Sequence, residues 1–243
     1  MKKIITLICF VAITHFASAQ PDSIDIKLQT ILAEKNEDIR MDKLFNYFDI
    51  LPNIDPLLSQ SVTKELLALS ETNKDKLAEA FAISQLSAIN NYLGNKSRSL
   101  EFALKALKMA EPLNNNTLLA IIYNLLANAY GTLDRTRAIE TYKQGLALRS
   151  KTTPSTVFPI IAFNLGNAYT TLNKLDSALE YLQLSEKLDL QLKDNKPGKI
   201  FLSGFARLYI KMNKPELANT YLTISLNEAN SKNAPRFKYY VNK

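Results

Sequence analysis

The sequence predicts an all-α protein, a right-handed α-solenoid of stacked helical hairpins. Three observations predict it. Glycine is scarce, at 6 of 243 residues, while Leu, Ala, Lys, Asn and Glu are plentiful, which favours helix over sheet. A small residue followed three positions later by Tyr recurs at an interval near forty residues, as in Ala127/Tyr130, Gly166/Tyr169 and Ala206/Tyr209. Helix breakers, among them Asn114-Asn115-Asn116 and Pro197-Gly198, fall between the apolar stretches.

Residues 1–19 read as a secretory signal peptide. Met1, Lys2 and Lys3 give a basic start, Ile4 to Ala12 an apolar run, and Ala17-Ser18-Ala19 the small residues that a signal peptidase requires, so cleavage is expected after Ala19. The apolar run is shorter than the ~20 residues of a spanning helix, which argues against an uncleaved anchor. The expected location is secreted or periplasmic, with no stable membrane insertion after cleavage. Cys9 follows the bulky Ile8 and does not resemble a lipid-attachment site.

Cleavage would remove the single cysteine, Cys9, and the single histidine, His15, from a chain that has no tryptophan. Thiolate nucleophiles, imidazole bases and the usual zinc or copper ligands leave with them, so the mature chain is read as non-enzymatic, with no metal and no cofactor. No phosphate loop or nucleophile elbow is present. The adjacent carboxylates Glu37 and Asp38 point in different directions on a helix and read as solvated surface.

Charge is unevenly spread. Residues 21–71 carry 10 acidic and 5 basic side chains, and residues 72–243 carry 13 acidic and 23 basic. The basic excess is scattered, without a long run or aromatic interleaving, which argues against nucleic acid as a partner.

Residues 20–79 contain N-terminal helices and a degenerate hairpin, with helices near Asp38–Phe48 and Pro56–Glu71. Residues 80–232 carry the clear repeats. Small residues Ala127, Gly166 and Ala206 mark the first helix of successive hairpins, and Ser99, Ala138, Ala178 and Ala218 the second. Small side chains let two antiparallel helices approach closely, and a hairpin that cannot bury its apolar face alone stacks on its neighbour. Turns are expected at Gly94-Asn95, Leu133-Asp134, Asn173-Lys174 and Asn213-Lys214, and Pro215 suits a first helical turn. Residues 233–243, with Phe237, Tyr239, Tyr240 and Val241, read as the start of a further helix.

These positions resemble the tetratricopeptide repeat family. Gly166, Tyr169, Ala178, Leu182 and Ser185 follow its pattern, as do Ala206, Tyr209, Ala218, Leu222 and Ser225. Ala127, Tyr130, Ala138, Tyr142 and Gly145 fit with one residue fewer in the turn, and Ser87, Asn90, Ser99, Ala103 and Ala106 fit with Asn90 in place of Tyr. The interval exceeds the family's usual ~34 residues and implies longer helices or linkers.

The resemblance implies that the first helix of each hairpin lines a concave face that holds extended peptides. Two positions per helix carry over: Ala88, Asn128, Asn167 and Arg207 at one, Ser84, Asn124, Phe163 and Ser203 at the other, with Asn164 alongside. Asn offers donor and acceptor to a peptide backbone, and Arg207 can grip a carboxylate. The lysines of the family's carboxylate clamp are absent. The expected partner-binding residues are therefore Asn124, Asn128, Asn164, Asn167 and Arg207. The function that follows is an extracytoplasmic scaffold for a protein or peptide partner. The alternative is the sensory input portion of a membrane-bound histidine kinase or transcriptional regulator, without its output domain. The tyrosines at repeat positions read as core.

Overall fold

The computed structural model describes residues 21–49, 51–131, 133–192 and 201–231, which are helical with no strand among them. The signal segment, Pro197-Gly198 and the Phe237–Val241 stretch lie outside the described residues. Three N-terminal helices, α1 (Pro21–Leu32), α2 (Glu37–Phe48) and α3 (Leu51–Ile54), precede the long α4 (Pro56–Asn73). Four hairpins follow: α5 (Lys76–Tyr92) with α6 (Lys96–Ala110), α7 (Asn116–Tyr130) with α8 (Arg135–Ala147), α9 (Val157–Thr171) with α10 (Leu175–Leu192), and α11 (Leu202–Lys211) with α12 (Pro215–Ser231).

Local chemistry sets the ends of these helices. Asp55, Asp75, Asn115 and Asp134 accept backbone N–H bonds from the first turns of α4, α5, α7 and α8, which supplies acceptors that the helix itself lacks. At the hairpin turns Gly94, Asn173 and Asn213 take left-handed backbone angles, with φ of 80°, 58° and 54°. Gly and Asn adopt that conformation at least cost, so the expected turns at Gly94, Asn173 and Asn213 have a direct steric cause.

The small residues act as inferred. In the first hairpin the Ser87 and Ser99 hydroxyls meet at 3.0 Å, and Ser99 Oγ also donates to the Ser87 carbonyl at 2.9 Å. In the third, a methyl group placed on Gly166 would lie 2.8 Å from Leu182 Cγ. A methyl on Gly204, one hairpin later, would lie 2.6 Å from Leu182 Cδ2. Leu182 therefore wedges between two successive first helices and is fully buried. Ser185, in the last small position of that repeat, donates to the Pro159 carbonyl at 2.7 Å. Each first helix also packs on the next, α5 on α7, α7 on α9, and α9 on α11, which makes a continuous right-handed solenoid with the first helices on one face.

The N-terminal region departs from the expected hairpin of residues 38–71. Helix α4 packs on α5 as a further solenoid layer, but α2 packs chiefly on α7 and α5, across the face of the first helices. Its buried residues Met41, Leu44, Phe45 and Phe48 form an apolar stripe that finds more cover on those helices than on α4. Among the described residues no helix is long and apolar enough to cross a membrane.

Ala178 is fully buried at the crossing of α9 and α10. Ala178→Phe is expected to cost about 1–3 kcal/mol or more through overpacking, and so to lower the melting temperature by several degrees. Thermal unfolding followed by circular dichroism checks this; an unchanged midpoint refutes the hairpin register.

Candidate functional site

The four first helices run side by side, so residues one repeat apart fall on one face. Helix α5 supplies Gln85 and Ala88 to it, α7 supplies Asn124 and Asn128, α9 supplies Phe163, Asn164 and Asn167, and α11 supplies Ser203 and Arg207. Opposite stand Phe45, Phe48 and Asp49 of the α2 end and Pro52 of α3. Together they enclose a cleft of about 670 Å³. All five expected partner-binding residues, Asn124, Asn128, Asn164, Asn167 and Arg207, line it.

The hydrogen bonds between these side chains give the cleft a polarity that spacing alone does not. Asn164 Nδ2 donates to Asn124 Oδ1 at 2.9 Å, which links α9 to α7, and Asn124 is 3% exposed. Arg207 Nη1 donates to Asn167 Oδ1 at 3.3 Å, which links α11 to α9. The Tyr142 hydroxyl, from α8, donates to Asn128 Oδ1. Asn128 and Asn167 therefore each accept one bond from within the protein at Oδ1 and keep their N–H₂ groups as donors. Each of these two amides is oriented by an internal donor, so its N–H₂ group is left for an occupant, beside one remaining lone pair on its oxygen. Arg207 is exposed, with no carboxylate in ion-pairing range among the described residues. An occupant suited to this lining brings acceptors, such as peptide carbonyls or a carboxylate, above an apolar floor of Leu125, Ile160 and Phe163.

Ser84 does not reach the cleft. It is fully buried, and its hydroxyl donates to the Phe81 carbonyl at 2.6 Å. Its neighbour Gln85 lines the cleft instead. Asn91 and Lys96, joined by a hydrogen bond, also line the cleft. Phe45, Phe48 and Asp49 carry no repeat signal and enter only through the placement of α2. Among the described residues, no group of three or more His, Cys, Asp or Glu side chains could hold a metal ion.

Of the tyrosines at repeat positions, Tyr142 and Tyr169 are buried, while Tyr130, Tyr181, Tyr209 and Tyr221 are half-buried against the core, so the expected core stripe is only partly formed. Tyr169 stacks on Tyr181 with ring centroids 5.5 Å apart, and Tyr221 lies 5.0 Å from Phe205. Burial raises the Tyr142 hydroxyl well above the ordinary tyrosine range. A raised folded-state pKa means that the neutral phenol contributes stability in full below about pH 10, and this contribution is lost as pH climbs beyond that value. Stability is expected to fall above about pH 10 more steeply in the parent than in Tyr142→Phe, as measured by denaturant unfolding across pH. At neutral pH the same variant is expected to lose about 0.5–1.5 kcal/mol, because Asn128 Oδ1 loses its donor.

Residues 161–192, which hold most of α9 and all of α10, match the family model described as tetratricopeptide repeat. No curated protein matches the chain by sequence. Among solved structures, BtubC (BKLC) from P. vanneervenii superimposes with a TM-score of 0.57 at 18% identity, over 88% of this chain and 91% of that one. A putative kinesin light chain from Podosopora anserina with nearly identical TPR-like repeats gives 0.51 at 14% identity, over 83% of this chain and 100% of that one. A Rap protein complexed with Competence and Sporulation Factor gives 0.56 at 13% identity, over 89% and 65%. The solenoid is thus of the tetratricopeptide kind, with a recognisable tetratricopeptide repeat in its third hairpin.

Proposed function

We propose that the chain is a secreted or periplasmic scaffold that holds an extended segment of a protein or peptide partner in the cleft between α2 and the first helices. The observation that carries this reading is the convergence of Asn124, Asn128, Asn164, Asn167 and Arg207 on one cleft, with the Asn128 and Asn167 amides oriented as donors. An extended strand brings its carbonyls to the Asn donors, and a side-chain or terminal carboxylate suits Arg207. The Rap protein with the same fold is described in complex with a factor, which supports a binding role for such an array.

The secretory location rests on residues 1–19. The sensory alternative, in which this array is the input portion of a membrane-bound histidine kinase or transcriptional regulator, is favoured by one similarity. A signal transduction ATPase from Pyrococcus horikoshii with a tetratricopeptide repeat sensor superimposes with a TM-score of 0.54, at 15% identity over 86% of this chain and 33% of that one.

Affinity capture from a periplasmic fraction tests the cleft. The parent is expected to retain a partner that Asn128→Ala/Asn167→Ala/Arg207→Ala loses by tenfold or more, on the order of 1.4 kcal/mol or above, with an unchanged far-ultraviolet spectrum. Equal capture by both proteins refutes the assignment. N-terminal sequencing of the exported chain is expected to begin at Gln20; a chain that retains Met1 overturns the cleavage reading.

A further inference from the structure

Helix α2 sits on the solenoid in the manner of a bound ligand. Its buried side chains Met41, Leu44, Phe45 and Phe48 fall at i, i+3, i+4 and i+7, the anchor pattern of an amphipathic helix laid in a groove. The groove is formed by α5 and α7, and Phe48 meets Phe81 of α5 edge to face at 5.4 Å between centroids.

Its carboxylates address the starts of two other helices. Asp38 Oδ1 accepts from Thr117 Oγ1 at 2.7 Å and from Asn115 Nδ2 at 3.4 Å, at the start of α7. Asp42 Oδ1 accepts from Ser155 Oγ at 2.7 Å, Thr156 N at 2.8 Å and Thr156 Oγ1 at 2.9 Å, at the start of α9. Helix α9 has no side-chain cap from its own N-cap residue Thr156, so a carboxylate from α2 serves that end. Asp38 and Asp42 are one helical turn apart and match two helix starts one repeat apart. A third contact of α2 is an ion pair, from Arg40 to Asp75 at the start of α5, at 3.4 Å.

We propose that the surface beneath α2 is a second binding site, selective for an acidic amphipathic helix. In the resting chain it is filled in cis by α2 itself, and a partner helix with two carboxylates one turn apart and apolar anchors at i, i+3, i+4 and i+7 takes that seat when α2 leaves. This seat adjoins the Asn-lined cleft, sharing the α5 and α7 faces and the Phe45 and Phe48 wall with it, and so rests on that reading of the face. A tethered helix competes at high effective concentration, so a free helix binds the parent weakly and binds well once the tether's own contacts are weakened.

The probe is a synthetic capped peptide of residues 36–49, labelled and titrated by fluorescence anisotropy onto the full chain in a Cys9→Ser background. Asp38→Asn/Asp42→Asn in the protein is expected to tighten peptide binding at least tenfold over the parent, with hydrogen exchange rising in 37–48 and unchanged in α10 to α12. The same peptide with lysine at positions 38 and 42 is expected not to bind. Pinning α2 with a disulfide, Asn46→Cys with Thr156→Cys, whose side chains now share a hydrogen bond of 2.9 Å, is expected to abolish binding until reductant is added. Equal affinity for the parent and the Asp variant, binding that survives the pin, or exchange that rises throughout the solenoid each overturns the proposal. Asn128→Ala/Asn167→Ala/Arg207→Ala added to the Asp variant is expected to leave peptide affinity unchanged, so failure here and failure of the cleft assignment are separable.

Discussion

The close approach of paired helices at side chains of one carbon or none is the constraint on which the remaining architecture depends. Leu182 shows it at its tightest. One isobutyl group enters a notch whose two sides are Gly166 and Gly204, in successive first helices, and neither site has room for a methyl. A single side chain thereby sets the distance within one hairpin and the offset to the next. Interiors packed this tightly do not deform smoothly, so the offset is fixed, and repeated offsets set the curvature of the face that carries the cleft. The positions of Asn124, Asn164, Asn167 and Arg207 relative to one another are a product of that spacing.

The cleft polarity follows from a second layer of contacts. Tyr142 from a second helix and Arg207 from the next repeat both donate into asparagine carbonyls, and so turn two ambivalent amides into oriented donors. Asn164, by contrast, donates to the Asn124 oxygen and so ties α9 to α7. The same residue type therefore plays two parts, separated by what stands beside it. Helix α2 closes the other side of the cleft with Phe45 and Phe48, which narrows an open concave face to a compartment of limited width.

The hairpins were legible because their determinants repeat. Gly166, Ala178, Ala206 and Ala218 recur at one interval, and the turns at Gly94, Asn173 and Asn213 announce themselves through residues suited to left-handed backbone. The cleft residues were legible for the same reason, since a face of a solenoid inherits the period. Ser84 stands at the repeat position of Asn124 and both are buried, but the shorter serine ends in the core and Gln85, one residue on, reaches the cleft. The orientation of the Asn amides and the seat of α2 were not legible. Asp38 looked like one of two solvated neighbours in sequence, and its partners Asn115 and Thr117 stand 77 and 79 residues away. No local pattern encodes a contact at that range.

That range has a kinetic meaning. Within each hairpin the contacts are between near neighbours in sequence, the kind that close rapidly with little loop entropy to overcome. Helix α2 emerges early in synthesis, yet its acceptors in Asp42 meet Ser155 and Thr156 only after 113 and 114 further residues have been made. The amphipathic stripe of α2 must therefore wait unpaired while α5 to α9 assemble beneath it. An early-translated helix thus takes its seat only after α9 has been made.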